Sequence, residues 1–283
     1  MAGSTEAREK AVPKYFLKTP ERLKDPKYSK TLLIIGAILS VLGLLMMLVN
    51  DSGTRCLGGG GILFGLLLMF SGWSGNASKR KAHAKELKKY QEAYDRTEPK
   101  PSDAQMDEWL QKDRERIRAE ALKKLDLESS QVVQDPIEVI GPANKADLAM
   151  GKDSTIRFSK YDIVTVFLTD YHLAAYKCTL DMAHGTQTDE STQEYHYKDV
   201  VSVATQTAGS DVFAVMLNGE HRSIASYQKF SLAVASGDRI EVAIAFPQLD
   251  DIVKEGRLAP TGADEAIRAI RARLREMKGG VQV

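Results

Sequence analysis

Two runs of uncharged residues constrain this chain before anything else does. Thr31–Val49 reads TLLIIGAILSVLGLLMMLV, 19 residues without a charge, and Leu57–Trp73 reads LGGGGILFGLLLMFSGW, a further 17. At a rise of about 1.5 Å per residue the first run covers about 28 Å as a helix, close to the roughly 30 Å of a bilayer's hydrocarbon core. A cleavable leader fits poorly, because the run starts 30 residues in and no small-x-small site precedes the second apolar run. Neither run has the polar face expected of a core helix of this length. The expectation is a transmembrane hairpin over residues 31–73, with helices at 31–49 and 57–73 joined by the polar turn Asn50–Cys56.

Orientation follows from lysine and arginine placement. Residues 1–30 carry Arg8, Lys10, Lys14, Lys18, Arg22, Lys24, Lys27 and Lys30, and the exit from the second run carries Lys79, Arg80, Lys81, Lys85, Lys88 and Lys89. The turn carries only Arg55. The positive-inside rule then predicts both termini in the cytoplasm, a location in the cell (inner) membrane and the lipid bilayer as partner. Cys56 and Cys178 would lie on opposite sides, so no disulfide is expected. A formal net charge of +1 identifies no partner.

Within the hairpin, Gly36-x-x-x-Ser40 and Gly61-x-x-x-Gly65 are small-xxx-small spacings that let helix backbones approach closely. They serve either packing within one hairpin or assembly into a homo-oligomer. The run Gly58–Gly61 costs a helix about 1 kcal/mol per glycine relative to alanine, which suggests close packing or a deformable helix start.

The remainder divides into a basic segment at 1–30, a helical stalk at 74–150 and a β-rich domain at 151–283. The stalk's first helix, about Ala77–Arg96, carries His83, Leu87, Tyr90 and Tyr94 as a stripe and ends at Pro99-Lys100-Pro101. Ser102 followed by Gln105 predicts a capping box opening a helix to about Leu127, with Met106, Leu110, Ile117, Ala121, Leu122 and Leu125 on one side. Strands are predicted at Ile163–Leu168, Tyr171–Leu180, Tyr195–Val203, Asp211–Leu217, Glu220–Ser226 and Arg239–Phe246. Asn218-Gly219 marks a hairpin turn, Asp181–Gln193 an exposed loop, and Ala263–Lys278 a closing helix with Ala266, Ile267, Ile270, Leu274 and Met277 on one face.

Short antiparallel strands followed by one amphipathic helix resemble a bacterial pleckstrin-homology-like domain. The residues that carry the resemblance are Leu168-Thr169-Asp170-Tyr171-His172-Leu173 and Tyr197-Lys198-Asp199-Val200-Val201-Ser202-Val203. It implies an antiparallel barrel or sandwich closed by the C-terminal helix. The fold class expected is thus α+β: a transmembrane hairpin, a helical stalk and this domain.

The chemistry-bearing residues are sparse. His83, His172, His184, His196 and His221 fall in unrelated contexts, with no HExxH. Gly58–Gly61 lacks the lysine of a phosphate loop, and no G-x-S-x-G occurs. No enzyme, cofactor or metal site is expected. One constellation stands out: Arg268, Arg271, Arg275 and Lys278 recur at 3-4-3 spacing on the last helix. Such a face either holds an anionic ligand, an oligonucleotide or a cyclic nucleotide, through its phosphates, or is an ordinary solvated surface.

Two functions remain in view. The layout is similar to two-helix membrane effectors of bacterial anti-phage defence of the Hailong type. That resemblance implies an oligomeric channel, gated by a nucleotide-type signal from a nucleotidyltransferase partner. The alternative is a membrane-anchored scaffold or binding module without channel activity.

Overall fold

The computed structural model describes residues 2–26, 28, 30–48, 52–209, 213–247 and 253–279. Within it the chain divides into two units, Met1–Lys18 with Pro99–Val283, and Thr19–Glu98.

The second unit is a helical arm. Helix α2 spans Thr31–Met47 and helix α3 runs unbroken from Ser52 to Thr97. Small residues set their contact. A Cβ on Gly36 would lie 2.5 Å from the main-chain oxygen of Gly65, and one on Gly65 would lie 2.3 Å from Ser40 Oγ. Gly61 faces Gly43, where a Cβ would sit 3.4 Å from its Cα. The predicted packing residues Gly36, Ser40, Gly61 and Gly65 therefore meet inside one hairpin. At the base of the arm, Thr19 Oγ1 donates to Glu98 Oε1 at 2.7 Å.

The transmembrane expectation does not hold. Among the described residues no helix is long and apolar enough to cross a membrane. Helix α2 has 17 residues, about 25 Å of rise. In α3 the apolar side chains are diluted by Gly60, Gly61, Gly65, Ser71, Gly72, Ser74 and Gly75 before the charges begin at Lys79. The expected inner-membrane location, which rested on those spans, falls with it. Asn50 and Asp51 of the expected turn, and Val49, lie outside the described residues.

In the first unit, a four-stranded sheet has the order β1-β4-β5-β6, from β1 (Ile137–Pro142), β4 (Lys160–Leu168), β5 (His172–Asp181) and β6 (Thr186–His196). A three-stranded sheet has the order β11-β10-β7, from β7 (Val200–Gly209), β10 (Ser226–Val234) and β11 (Arg239–Ala245). A third sheet runs β12-β3-β2-β8-β9, from β2 (Ala146–Met150), β3 (Thr155–Phe158), β8 (Ala214–Leu217), β9 (Glu220–Ser223) and β12 (Arg257–Leu258). The chain is α+β, but among the described residues the three sheets stay separate and no closed barrel forms, which corrects the expected barrel. The short β3, β8, β9 and β12 are diverted into the sheet of β2.

Both faces of β4 and β5 are buried, which explains their nearly continuous apolar sequence. Val164, Val166, Leu168, Leu173 and Ala175 face one core, shared with the three-stranded sheet and the last helix, α5 (Ala263–Gly279). Tyr161, Ile163, Phe167, Ala174, Tyr176, Cys178 and Leu180 face a second core. There they meet α1 (Ala2–Phe16), through Val12, Tyr15 and Phe16, and α4 (Asp103–Lys124), through Met106, Ile117 and Ala121. The N-terminal basic segment and the second connector helix are thus core elements of this unit. Ser102 caps α4 by accepting from the Gln105 N–H at 3.2 Å.

Asn218 and Gly219 take φ of 52° and 82° between β8 and β9, as a two-residue hairpin of mirror-image type requires. The expected loop at Asp181–Gln193 is instead mostly strand β6, paired with β5 from His172↔His196 to Asp181↔Thr186. Strand β6 is an exposed edge with almost no apolar residues; it is ordered by main-chain pairing with β5 and by polar contacts of Gln187 and Glu190 with Arg116, Lys124 and Tyr176. The strand expected across Tyr195–Val203 is broken by a helical turn at Tyr197–Asp199. The expected strand start at Asp211 lies outside the described residues.

Candidate anion-binding groove

Helix α5 begins after Gly262 (φ 74°) with Asp264 and Glu265 in its first turn, where carboxylates oppose the helix dipole favourably. Ala263, Ala266, Ile267 and Ile270 bury one stripe in the core, and Leu274 packs against it. That stripe turns the neighbouring face toward β7.

The four expected cations separate into two kinds. Arg271 donates from Nε and Nη2 to the Val203 main-chain oxygen at 3.2 and 2.8 Å, and Lys278 Nζ donates to the Val200 oxygen at 2.7 Å. Arg268 and Arg275 are exposed, and no hydrogen bond or ion pair engages either among the described residues. Seven helical residues separate Arg271 from Lys278, about 10.5 Å of rise, and three strand residues separate Val203 from Val200, about 10 Å. Helix and strand therefore run side by side in opposite directions. Between them lies an open groove of about 710 Å³, lined by Val200, Val203, Arg271, Leu274, Arg275 and Lys278 among others. Arg268 lies one turn before this lining.

A fifth cation of α5 was not singled out by the sequence. Arg273 is part-buried and donates to Glu276 Oε2 at 2.8 Å, Asp170 Oδ1 at 3.0 Å and the Thr169 main-chain oxygen at 3.1 Å. Its guanidinium also stands 5.7 Å from the centre of the Tyr197 ring, and Tyr197 donates its hydroxyl to the same Thr169 oxygen at 2.7 Å. The Glu276 carboxylate raises the arginine's pKa, and burial raises that of the Tyr197 phenol. The two motifs behind the pleckstrin-homology resemblance thus meet as a structural clamp holding the β4–β5 turn to α5. The hint in the sequence was Asp170 in a tight turn.

Two further ionic clusters also hold the fold together. Buried Arg157 pairs with Asp107 at 2.7 Å and Asp153 at 2.8 Å, and contacts the Tyr15 hydroxyl at 3.4 Å. It joins α1, α4 and β3; burial raises the Tyr15 phenol's pKa, with the Asp103 hydrogen bond adding to it. Arg8 pairs with Asp113 at 2.5 Å and donates to the Met182 oxygen at 2.7 Å, fixing α1 against α4. Cys178 is fully buried, and desolvation pushes its thiol up to about 12. Among the described residues no group of three His, Cys, Asp or Glu side chains could hold a metal.

No protein-family model, curated protein or solved structure matches the chain.

Proposed function

We propose that the chain is a non-catalytic binding module that takes an anionic ligand in the groove between α5 and β7, on a scaffold brought together in copies by the helical arm. The observation that carries this reading is the groove itself. It is open, lined by Arg271, Arg275 and Lys278, and extended by Arg268, while among the described residues no carboxylate lines it. Two of the cations are already positioned by main-chain oxygens, so little side-chain freedom is lost when an anion binds. The strongly perturbed titratable groups elsewhere, Arg157, Tyr15 and Cys178, belong to structural contacts, which favours binding over chemistry.

The arm supports assembly by its outward faces. Gly36, Gly61, Gly65 and Gly72 are used inside the hairpin, whereas Ile34, Ile38, Val41, Leu44, Leu63, Phe64, Leu67, Phe70 and Trp73 are each more than half exposed. A contiguous apolar surface of this kind marks an interaction site. The arm has no charged residue from Thr31 to Leu48 or from Gly59 to Asn76, so a matching apolar surface, as on a second copy, covers it without stranding a charge.

The test is fluorescence anisotropy of the full chain with two labelled polyanions, a dodecamer of thymidylate and a glutamate-rich peptide. Binding of either, weakening with salt and lost in the Arg268→Glu/Arg275→Glu double variant, supports the reading. Those two arginines hold nothing in the fold, so their loss leaves stability unchanged. Binding of neither polyanion overturns it.

A further inference from the structure

We infer that the ligand of this groove is an extended acidic peptide segment, which adds to the free edge of β7 as an additional strand. The inference rests on the groove being an anionic-ligand site and specifies what fills it.

Strand β7 is the terminal strand of the β11-β10-β7 sheet, paired on one side only. Its sequence, VVSVATQTAG, contains no charge and no proline, the two features that usually protect an edge from pairing with another chain. Thr205, Gln206, Thr207 and Gly209 are exposed. The direction of the unused main-chain groups follows from one contact. Because the Val203 oxygen accepts from Arg271, it points away from β10. In an antiparallel ladder both main-chain groups of a residue point to the same side and alternate along the strand. Thr205 and Thr207 therefore present N–H and C=O outward as well, a ladder without a partner strand among the described residues.

The groove then has two complementary parts. Toward Gly209 the edge offers free main-chain donors and acceptors. Toward Val200 a register shift opposite Ala233 and Val234 brings the Val200 oxygen to the same side as that of Val203, and the two are held by Lys278 and Arg271, whose charges a carboxylate would attract. An incoming strand can supply N–H groups to the Val203 and Val200 oxygens while its acidic side chains take the two cations, so each displaced hydrogen bond is replaced. Arg275 and Arg268 add positive charge along the same line, and Leu274 offers an apolar contact for alternate residues. Main-chain pairing supplies affinity in such strand addition, and side chains supply selectivity. A nucleic acid satisfies the cations but not the N–H and C=O ladder, which favours a peptide.

The experiment uses the full chain and a labelled peptide, acetyl-Val-Glu-Val-Glu-Val-Glu-Val-amide. Three probes accompany it: the peptide N-methylated at alternate amides, its lysine counterpart, and the thymidylate dodecamer. The expected result is binding of the acidic peptide, at least tenfold weaker for the N-methylated form on the pairing side and lost for the lysine form. Amide hydrogen exchange at Thr205 and Thr207 should slow when the acidic peptide is bound. Equal binding of the N-methylated peptides, or unchanged exchange at both threonines, overturns strand addition. Binding of the dodecamer alone overturns the peptide while leaving the anion-binding groove standing; absence of binding by every acidic probe removes both.

Discussion

Arg271 reaches the main-chain oxygen of Val203 through two donors at once, at 3.2 and 2.8 Å, from a helix whose neighbouring stripe is buried. The same helix therefore closes a core with its apolar residues and blunts a sheet edge with its basic ones. These are separable roles, and substitutions on the two stripes should behave differently.

On the buried stripe, Ile270 is fully enclosed by both sheets. Ile270→Asp removes an apolar side chain and buries a carboxylate without a partner, and should cost several kcal/mol. Arg268→Ala, on the exposed face, should stay within about 0.5 kcal/mol of the parent. Urea unfolding followed by circular dichroism checks both; equal midpoints would show that α5 is not docked as described.

The Arg157 cluster gives a pH signature. A side-chain hydrogen bond from Arg157 holds the Asp153 carboxyl well below the usual carboxylate range. A carboxyl depressed in the folded state adds stability above its ordinary pKa near 4 and loses it as pH falls through the folded value. The stability gap between the parent and Asp153→Asn should therefore be full at pH 6 and shrink as pH drops from 4 toward 2. Asp162 has the opposite sign. Burial raises its pKa, so its ionised form is the costly one, and the Asp162→Asn comparison should not shrink in that window in the same direction. Melting temperatures across pH 2–6 decide this.

In the arm, two glycines of one helix should respond oppositely to alanine. A Cβ on Gly65 would come within 2.5 Å of the Gly36 oxygen, whereas one on Gly60 meets nothing within 4 Å. Gly65→Ala should push α2 and α3 apart and lower the protection of their amides. Gly60→Ala should stabilise α3 by about 1 kcal/mol. Hydrogen exchange resolved to the arm reads both, and similar responses would refute the packing.

Assembly through the arm predicts a defined oligomer by light scattering, dispersed when Ile38, Val41 and Phe70 are replaced by glutamate. A monomeric parent chain would overturn the assembly. So would capture of the chain by phosphatidylcholine vesicles in preference to itself, because the apolar faces would then belong to lipid.

Much of the secondary structure was legible where local chemistry dominates. The Ser102 acceptor for the Gln105 N–H, the Asn218-Gly219 turn and the stripe of α5 as far as Leu274 each depend on residues close in sequence, and each is found; Met277, expected on that stripe, is exposed. Strand β10 was missed although it lies at the centre of its sheet. Its order comes from pairing with β11, the next strand in the chain, and with β7, which precedes it beyond the β8–β9 hairpin. Strand β6 escapes sequence reasoning because TQTDESTQEYH is almost wholly polar and carries no apolar alternation. The two apolar runs suggested bilayer spans, yet apolarity measures only what a helix avoids, not the length over which it stays helical and free of small and charged residues.

The candidate groove shows the same division. The spacing of Arg268, Arg271, Arg275 and Lys278 alone placed them on one side of a helix, because 3.6 residues per turn leaves no other arrangement. Which of them hold the fold and which remain available was not encoded locally. Docking of α5 along β7 brought Arg271 and Lys278 to the Val203 and Val200 oxygens and left Arg268 and Arg275 exposed. Local sequence determined the helices, caps, turns and the cationic face through short-range sterics and hydrogen bonding. The tertiary structure alone decided the sheet order, the free edge of β7 and the groove beside it, because those depend on contacts between residues far apart in the chain.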